Sequence, residues 1–178
     1  MPTYIALLRG INVGGKAPIK MADLLSAFES LTFTNVRTYL QSGNVVFDTN
    51  AADVVKIVTT IEKKLRQKFG FEVPVVLRTP EDLARILRAN PFSARSNADY
   101  LYVIFLSRPP DAKTVASLIM QKESAEEFKL VGREIFLYLP HGYGRTKLNN
   151  NAFEKKLSCA ATTRNWKTVN ALMAMAGN

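Results

Sequence analysis

Residues 8 to 16, LRGINVGGK, set Gly10 and, after four intervening positions, Gly15 and Lys16 at the spacing of a phosphate-wrapping loop. Such a loop surrounds phosphates with backbone amides and a lysine, and the Ser or Thr directly after that lysine holds magnesium. Here Ala17 takes that place, Pro18 follows closely, and apolar helical periodicity starts only near residue 20. The next β-rich runs form a hairpin, whereas a phosphate-loop domain requires a second parallel strand ending in a magnesium-binding acid. Nucleotide hydrolysis is therefore not the chemistry this stretch predicts. It predicts a glycine-containing strand-to-helix connection bordered by Arg9, Asn12, Lys16 and Lys20, able to attract an anion through free amides and charge. The plainer alternative is that Gly10, Gly14 and Gly15 simply let the loop bend.

The other reactive side chains are sparse. One histidine, His141, and one cysteine, Cys159, cannot build a His/Cys zinc site, no calcium loop is present, and neither a metal nor a cofactor is expected. A Cys159–His141 nucleophile pair lacks a visible orienting partner, and Cys159, beside Leu157, Ala160 and Ala161, reads as packed. His141 lies in the loop PHGYGRTK, where contact with a ligand or a backbone carbonyl suits it better than service as a base. No catalytic constellation emerges. Two polar stretches stand out instead. QSGN, residues 41 to 44, offers amides and a hydroxyl at a turn, a place for ligand contact or for ordinary turn chemistry. TTRNW puts Arg164, Asn165 and the single tryptophan, Trp166, at a helix start, which fits either an anion or base-stacking site or the anchoring of that helix.

These residues must be positioned by a chain of 178 residues, long enough for one ordinary domain or two small ones. With 47% hydrophobic and 22% charged residues it has material for a core. No apolar run approaches the ~20 residues that span a bilayer, the start reads as lacking a signal peptide, and a lone cysteine suits a reducing compartment. A cytoplasmic location without membrane contact is expected. The net charge of +9 favours anionic partners, although the basic residues are scattered.

Residues 3 to 9 predict a central strand, apolar on both faces. Leu24, Leu25, Phe28 and Leu31 predict an amphipathic helix. VRTYL and NVVFD flank Ser42-Gly43 as a hairpin, Asn50 and Asp53 offer the start of a second helix that Gly70 ends, and VPVVL makes a fourth strand. That order, strand, helix, hairpin, helix, strand, is the ferredoxin-like split arrangement. Thr79-Pro80-Glu81-Asp82 opens a further helix, ending near Arg88 before Asn90-Pro91. YLYVIFLS predicts another two-faced strand, followed by a helix bearing Val115, Leu118 and Ile119, and EEFKLVGREIFLYLP a second hairpin. GREIF, at 132 to 136, echoes GNVVF at 43 to 47 and suggests a duplicated module. Asn151 to Glu154 reads as a capping box for a short helix with Phe153 and Leu157, and Thr162 or Thr163 as the cap of a final helix. The expected architecture is α+β: two ferredoxin-like modules with antiparallel sheets, divided into residues 1–79 and a related domain with C-terminal helices at 80–178.

YIALLRGINVGGK, IKMADL, YLQSGNVVF, LPHGYGRTKL and ATTRNWKTV, in that order, resemble the successive motifs of a bacterial family known as domain of unknown function 1697. The resemblance covers essentially the whole chain. It implies a pair of ferredoxin-like modules and carries no established activity. Its motifs draw attention to Arg9, Asn12 and Lys16 in the first, Gln41, Ser42 and Asn44 in the third, His141 and Lys147 in the fourth, and Arg164, Asn165 and Trp166 in the last. The working expectation is a small anionic or phosphorylated ligand held in a cleft between modules, with Arg9, Lys16 and Arg164 supplying charge and Asn12, Gln41 and Asn165 orienting it. The rivals are nucleic-acid binding through the basic surface and a structural or protein-binding role. Oligomeric state is left open.

Overall fold

A computed structural model describes residues 1–95 and 97–177. Among these residues the fold is mixed α+β, with two four-stranded antiparallel sheets and six α-helices. The chain divides into two compact units, Met1–Leu83 with Leu172–Asn178, and Ala84–Ala171.

The first unit is organised by β1 (Thr3–Leu8), whose Tyr4 to Leu8 are all buried. With β2 (Thr34–Tyr39), β3 (Asn44–Asp48) and β4 (Val75–Arg78) it forms a sheet in the order β2-β3-β1-β4, so β1 is central as its two apolar faces require. Tyr4, Ala6 and Leu8 share one core with Val45, Phe47 and the apolar stripes of α1 (Met21–Glu29) and α2 (Val54–Phe69). Aromatic rings fill its centre: Phe33 stacks on Phe47 at 4.4 Å between centroids, and Phe28 meets Phe47 edge-on at 5.5 Å. Ile5, Leu7, Val46 and Val76 are buried as well. Local chemistry sets the ends of α2. The Asp53 carboxylate accepts from the Lys56 amide at 3.1 Å, and Gly70 closes the helix at φ 81°.

Between Thr79 and Asp82 two hydrogen bonds run in opposite directions, a capping box that starts α3 (Pro80–Ala89). The second unit contains β5 (Leu101–Leu106), α4 (Ala112–Ala116), β6 (Glu127–Val131), β7 (Glu134–Tyr138), α5 (Asn150–Leu157) and β8 (Ala161–Asn165). Its sheet runs β6-β7-β5-β8. Ile104 and Leu106 pack with Leu137, Leu148, Phe153 and Leu157 to form its core.

Four local expectations change. Thr162 and Thr163 do not cap a helix but lie in β8, paired with β5 through Phe105 and Ile104. Their β-branched side chains suit a strand, and α6 (Trp166–Ala176) begins only after it. The cap of α5 is Asn149, accepting from the Ala152 amide at 3.1 Å, while the Glu154 carboxylate instead takes the Ala161 amide at 2.9 Å. The helix expected to carry Val115, Leu118 and Ile119 stops at Ala116, leaving Ile119 79% exposed. Finally, the GNVVF and GREIF echo is one residue out of step with the strand register. Leu7 faces Asn44 and Phe105 faces Glu134, so Asn44 corresponds to Glu134, and Gly43 to Arg133 instead of Gly132.

Candidate functional site

The connection from β1 to α1 answers the question posed by its glycines. The Lys16 amide donates to the Val13 carbonyl at 3.0 Å and the Asn12 amide to that of Ala17 at 3.1 Å, closing a miniature hairpin. Its tip is Gly14-Gly15, at φ 57° and 73°, the positive values a tight primed turn demands. Lys16 therefore stands exposed on a hairpin arm, and the following helix starts later, at Met21.

Asn12 holds this connection in place. Its Nδ2 donates to the carbonyls of Ile19 and Gln41, each at 2.9 Å, and its Oδ1 accepts from the Ile19 amide at 2.8 Å. One side chain thus ties the base of the loop to the β2–β3 turn. A second asparagine secures the turn itself: Asn44, fully buried, donates to the Tyr39 carbonyl at 2.7 Å and the Ser42 hydroxyl at 3.0 Å. Gly43 is confined for a different reason. At φ 82°, a Cβ added there would lie 2.7 Å from Ile11 Cδ1 and 2.9 Å from Leu8 Cβ.

Beside this junction lies a cavity of about 490 Å³ bordered by Asn12, Lys20, Met21, Asp23, Gln41 and Phe69. Lys20 is the cap residue of α1 and its side chain makes no capping hydrogen bond. Among the described residues no hydrogen bond engages the Met21 and Ala22 amides, so the first turn keeps donor capacity. Asp23 adds an acid to the rim, while its carbonyl accepts from the Lys68 ammonium at 2.9 Å. Of the expected residues, Asn12, Lys20 and Gln41 meet here. Arg9 and Lys16 are not among those lining the cavity. Met21, Asp23 and Phe69 were not singled out by sequence. IKMADL pointed toward the first two; nothing in the sequence marked Phe69, which arrives from the end of α2.

The remaining candidates belong to the second unit. Arg164 is buried on β8, where its Nη1 donates to the Thr162 hydroxyl and the Thr163 carbonyl, both at 2.8 Å. Burial pushes its guanidinium down to about 10. Asn165 caps α6 by accepting from the Thr168 amide at 2.8 Å, and Trp166, half-buried, is the first residue of that helix. His141 is exposed after β7, and Lys147 is exposed before α5. Cys159 is half-buried, and burial pushes its thiol upward. Among the described residues no three His, Cys, Asp or Glu gather as a metal site, and no helix is long and apolar enough to cross a membrane.

The model of the family described as "Protein of unknown function (DUF1697)" matches residues 1–136, and the chain belongs to that family. The match runs from β1 into β7; α5, β8 and α6 lie beyond it. No curated protein matches. Among solved structures, the chain is similar to conserved bacterial protein SP0830 from Streptococcus pneumoniae, at 24% identity and a TM-score of 0.73, covering 100% of this chain and 99% of that one. That likeness concerns the fold alone.

Proposed function

We propose that the first unit binds a small anionic, phosphorylated ligand in the cavity beside the β1–α1 connection. The observation that carries this reading is convergence: Asn12, the Ile19–Asp23 stretch and Gln41 come from three of the motifs that mark the family, and all border one cavity. Its volume suits a small molecule, since ligand sites occupy ~300 to 1,000 Å³. Lys20 and the first-turn amides of α1 supply the positive end, and Asp23 selects against ligands that cannot place their charge near Lys20. Asn12 is a positioning residue, because its amide is committed to the loop and turn.

A thermal-shift titration with inorganic phosphate and pyrophosphate tests this. A ligand at a hundred times its dissociation constant stabilises by ~2.7 kcal/mol, and Lys20→Ala should remove that shift while Lys147→Ala, in the other unit, keeps it. A shift unchanged in Lys20→Ala would remove the reading. The rival, nucleic-acid binding, rests on the net charge of +9; steeply salt-dependent shifts with oligonucleotides alone would favour it.

We also infer that both units are ferredoxin-like modules descended from a duplication, within a cytoplasmic protein. The support is positional. The strand orders correspond, Ile5 faces Arg78 as Val103 faces Arg164, and both arginines are buried. Leu8 and Arg9 donate to the Gly43 and Pro74 carbonyls at 2.9 Å, just as Leu106 and Ser107 donate to those of Arg133 and Ala160 at 3.0 and 2.9 Å. The cytoplasmic assignment rests on the single cysteine.

A further inference from the structure

In the second unit a cavity of about 470 Å³ opens between the segment after α4 and the outer face of α5. Its apolar wall comes from Ile119, Met120 and Ala152, and its charge from Lys147, Lys155 and Lys156. Ala152, Lys155 and Lys156 stand at i, i+3 and i+4 on α5, so the two ammonium groups rise over the same face that carries the alanine. No acid lines this cavity, and among the described residues none of the three lysines is engaged in an ion pair. Ile119 is the most exposed of the large apolar side chains, at 79%. Lysine stems extend an apolar surface while their heads stay charged. The site therefore joins a hydrocarbon floor to a cationic rim.

We propose that this cavity binds a free single-chain aliphatic carboxylate of medium length. The carboxylate meets the ammonium groups of Lys155, Lys156 and Lys147, and the chain covers Ile119 and Met120. Charge complementarity selects the head group, because three cations without an acid disfavour a cationic or zwitterionic one. The volume limits the tail, falling within the ~300 to 1,000 Å³ of small-molecule sites. This site is separate from the cavity beside α1 and involves no residue of it.

The test is a methyl-NMR titration of the isoleucine-δ1-labelled protein with octanoate, with 1-octanol and acetate as comparisons. The Ile119 methyl should shift saturably with octanoate, at an affinity about tenfold above that of octanol, since exposed ion pairs are individually weak. Acetate should leave it unmoved. Lys155→Ala/Lys156→Ala keeps good helix formers on α5 and should bring octanoate down to the octanol affinity. Ile119→Ser, read through thermal shift, should lose both ligands. Equal affinities for octanoate and octanol, an unchanged affinity in the lysine variant, or an unmoved Ile119 methyl up to the solubility of octanoate would each overturn the proposal. Lys20→Ala should leave octanoate binding intact, so failure at either cavity can be told from failure at the other.

Discussion

The connection leaving β1 and the connection leaving β5 start from corresponding hydrogen bonds and then diverge. In the first unit residues 9–20 build a miniature hairpin, anchor it through Asn12 and leave a cavity beside an uncapped helix start. In the second unit residues 107–111 pass through Pro109-Pro110 directly to Asp111, whose side chain caps α4 with bonds to the Thr114 amide and hydroxyl. Here the helix start is capped by its own side chain, beside a smaller cavity of about 180 Å³. The difference teaches that a repeated strand order fixes where a loop begins and leaves free what it becomes, so function follows the loop and not the sheet.

The sharpest way to break this comparison is at the hairpin glycines. Gly43→Ala combines a positive φ with contacts of 2.7 and 2.9 Å to Ile11 and Leu8, whereas Gly132, at φ 63°, has open space around its absent Cβ. Urea unfolding should show a loss of about 3 kcal/mol for Gly43→Ala, from strain and overpacking together, and about 1 kcal/mol for Gly132→Ala, from strain alone. Equal losses would mean that the approach of the loop to the turn is not what confines Gly43.

Asn12→Ala comes next. Removing three hydrogen bonds from a partly buried amide should cost about 2 kcal/mol and accelerate hydrogen exchange at the Ile19 amide, which bonds to Asn12 Oδ1. In the 107–111 connection the remote tie is a cation, Arg108, whose guanidinium donates to the Ser158 carbonyl at 2.7 Å, and unaltered exchange at Ile19 would show that the first loop holds itself.

The smallest expected effect concerns pH. Hydrogen bonds from Asn35 and Thr3 hold the Asp48 carboxyl below its ordinary value of 3.8, with Arg37 nearby adding to the effect. A depressed folded value means that this stabilisation is present above pH 3.8 and is lost as pH falls through the folded value. Asp48→Asn should therefore flatten the acid limb of a stability profile by no more than about 0.5 kcal/mol, given the solvent exposure of the group. The register places Tyr138 in the corresponding position of the second unit, facing Leu101 as Asp48 faces Thr3. Tyr138→Phe should leave that acid limb unchanged.

Much of the fold was legible in local patterns. β1 and β5 declared themselves through apolar residues on both faces, α2 through Asp53 and Gly70, and the first hairpin through Ser42-Gly43. β8 was not legible, because Thr-Thr-Arg-Asn satisfies the preferences of both a strand and a helix start. Its pairing with β5, from Ala161 back to Leu106, decides the matter, and that contact is remote in sequence. The site shows the same division. Glycines and basic residues marked the first loop, but Asn12 could be recognised as its fastening only once Gln41 was beside it. Phe69 carried no polar signal because an apolar residue at a helix end looks like any core residue.

Cys159 also bears on how unfolding can be followed. Its half-buried thiol is pushed upward by loss of hydration and stays protonated near neutrality, which makes it a slow nucleophile in the native state. Once the chain opens, the same sulfur becomes hydrated and reacts with ordinary thiol reagents. With one cysteine in the sequence, a single colour-forming reaction compares the hydration of this one position in the native and the unfolded chain, without an added label or an engineered probe.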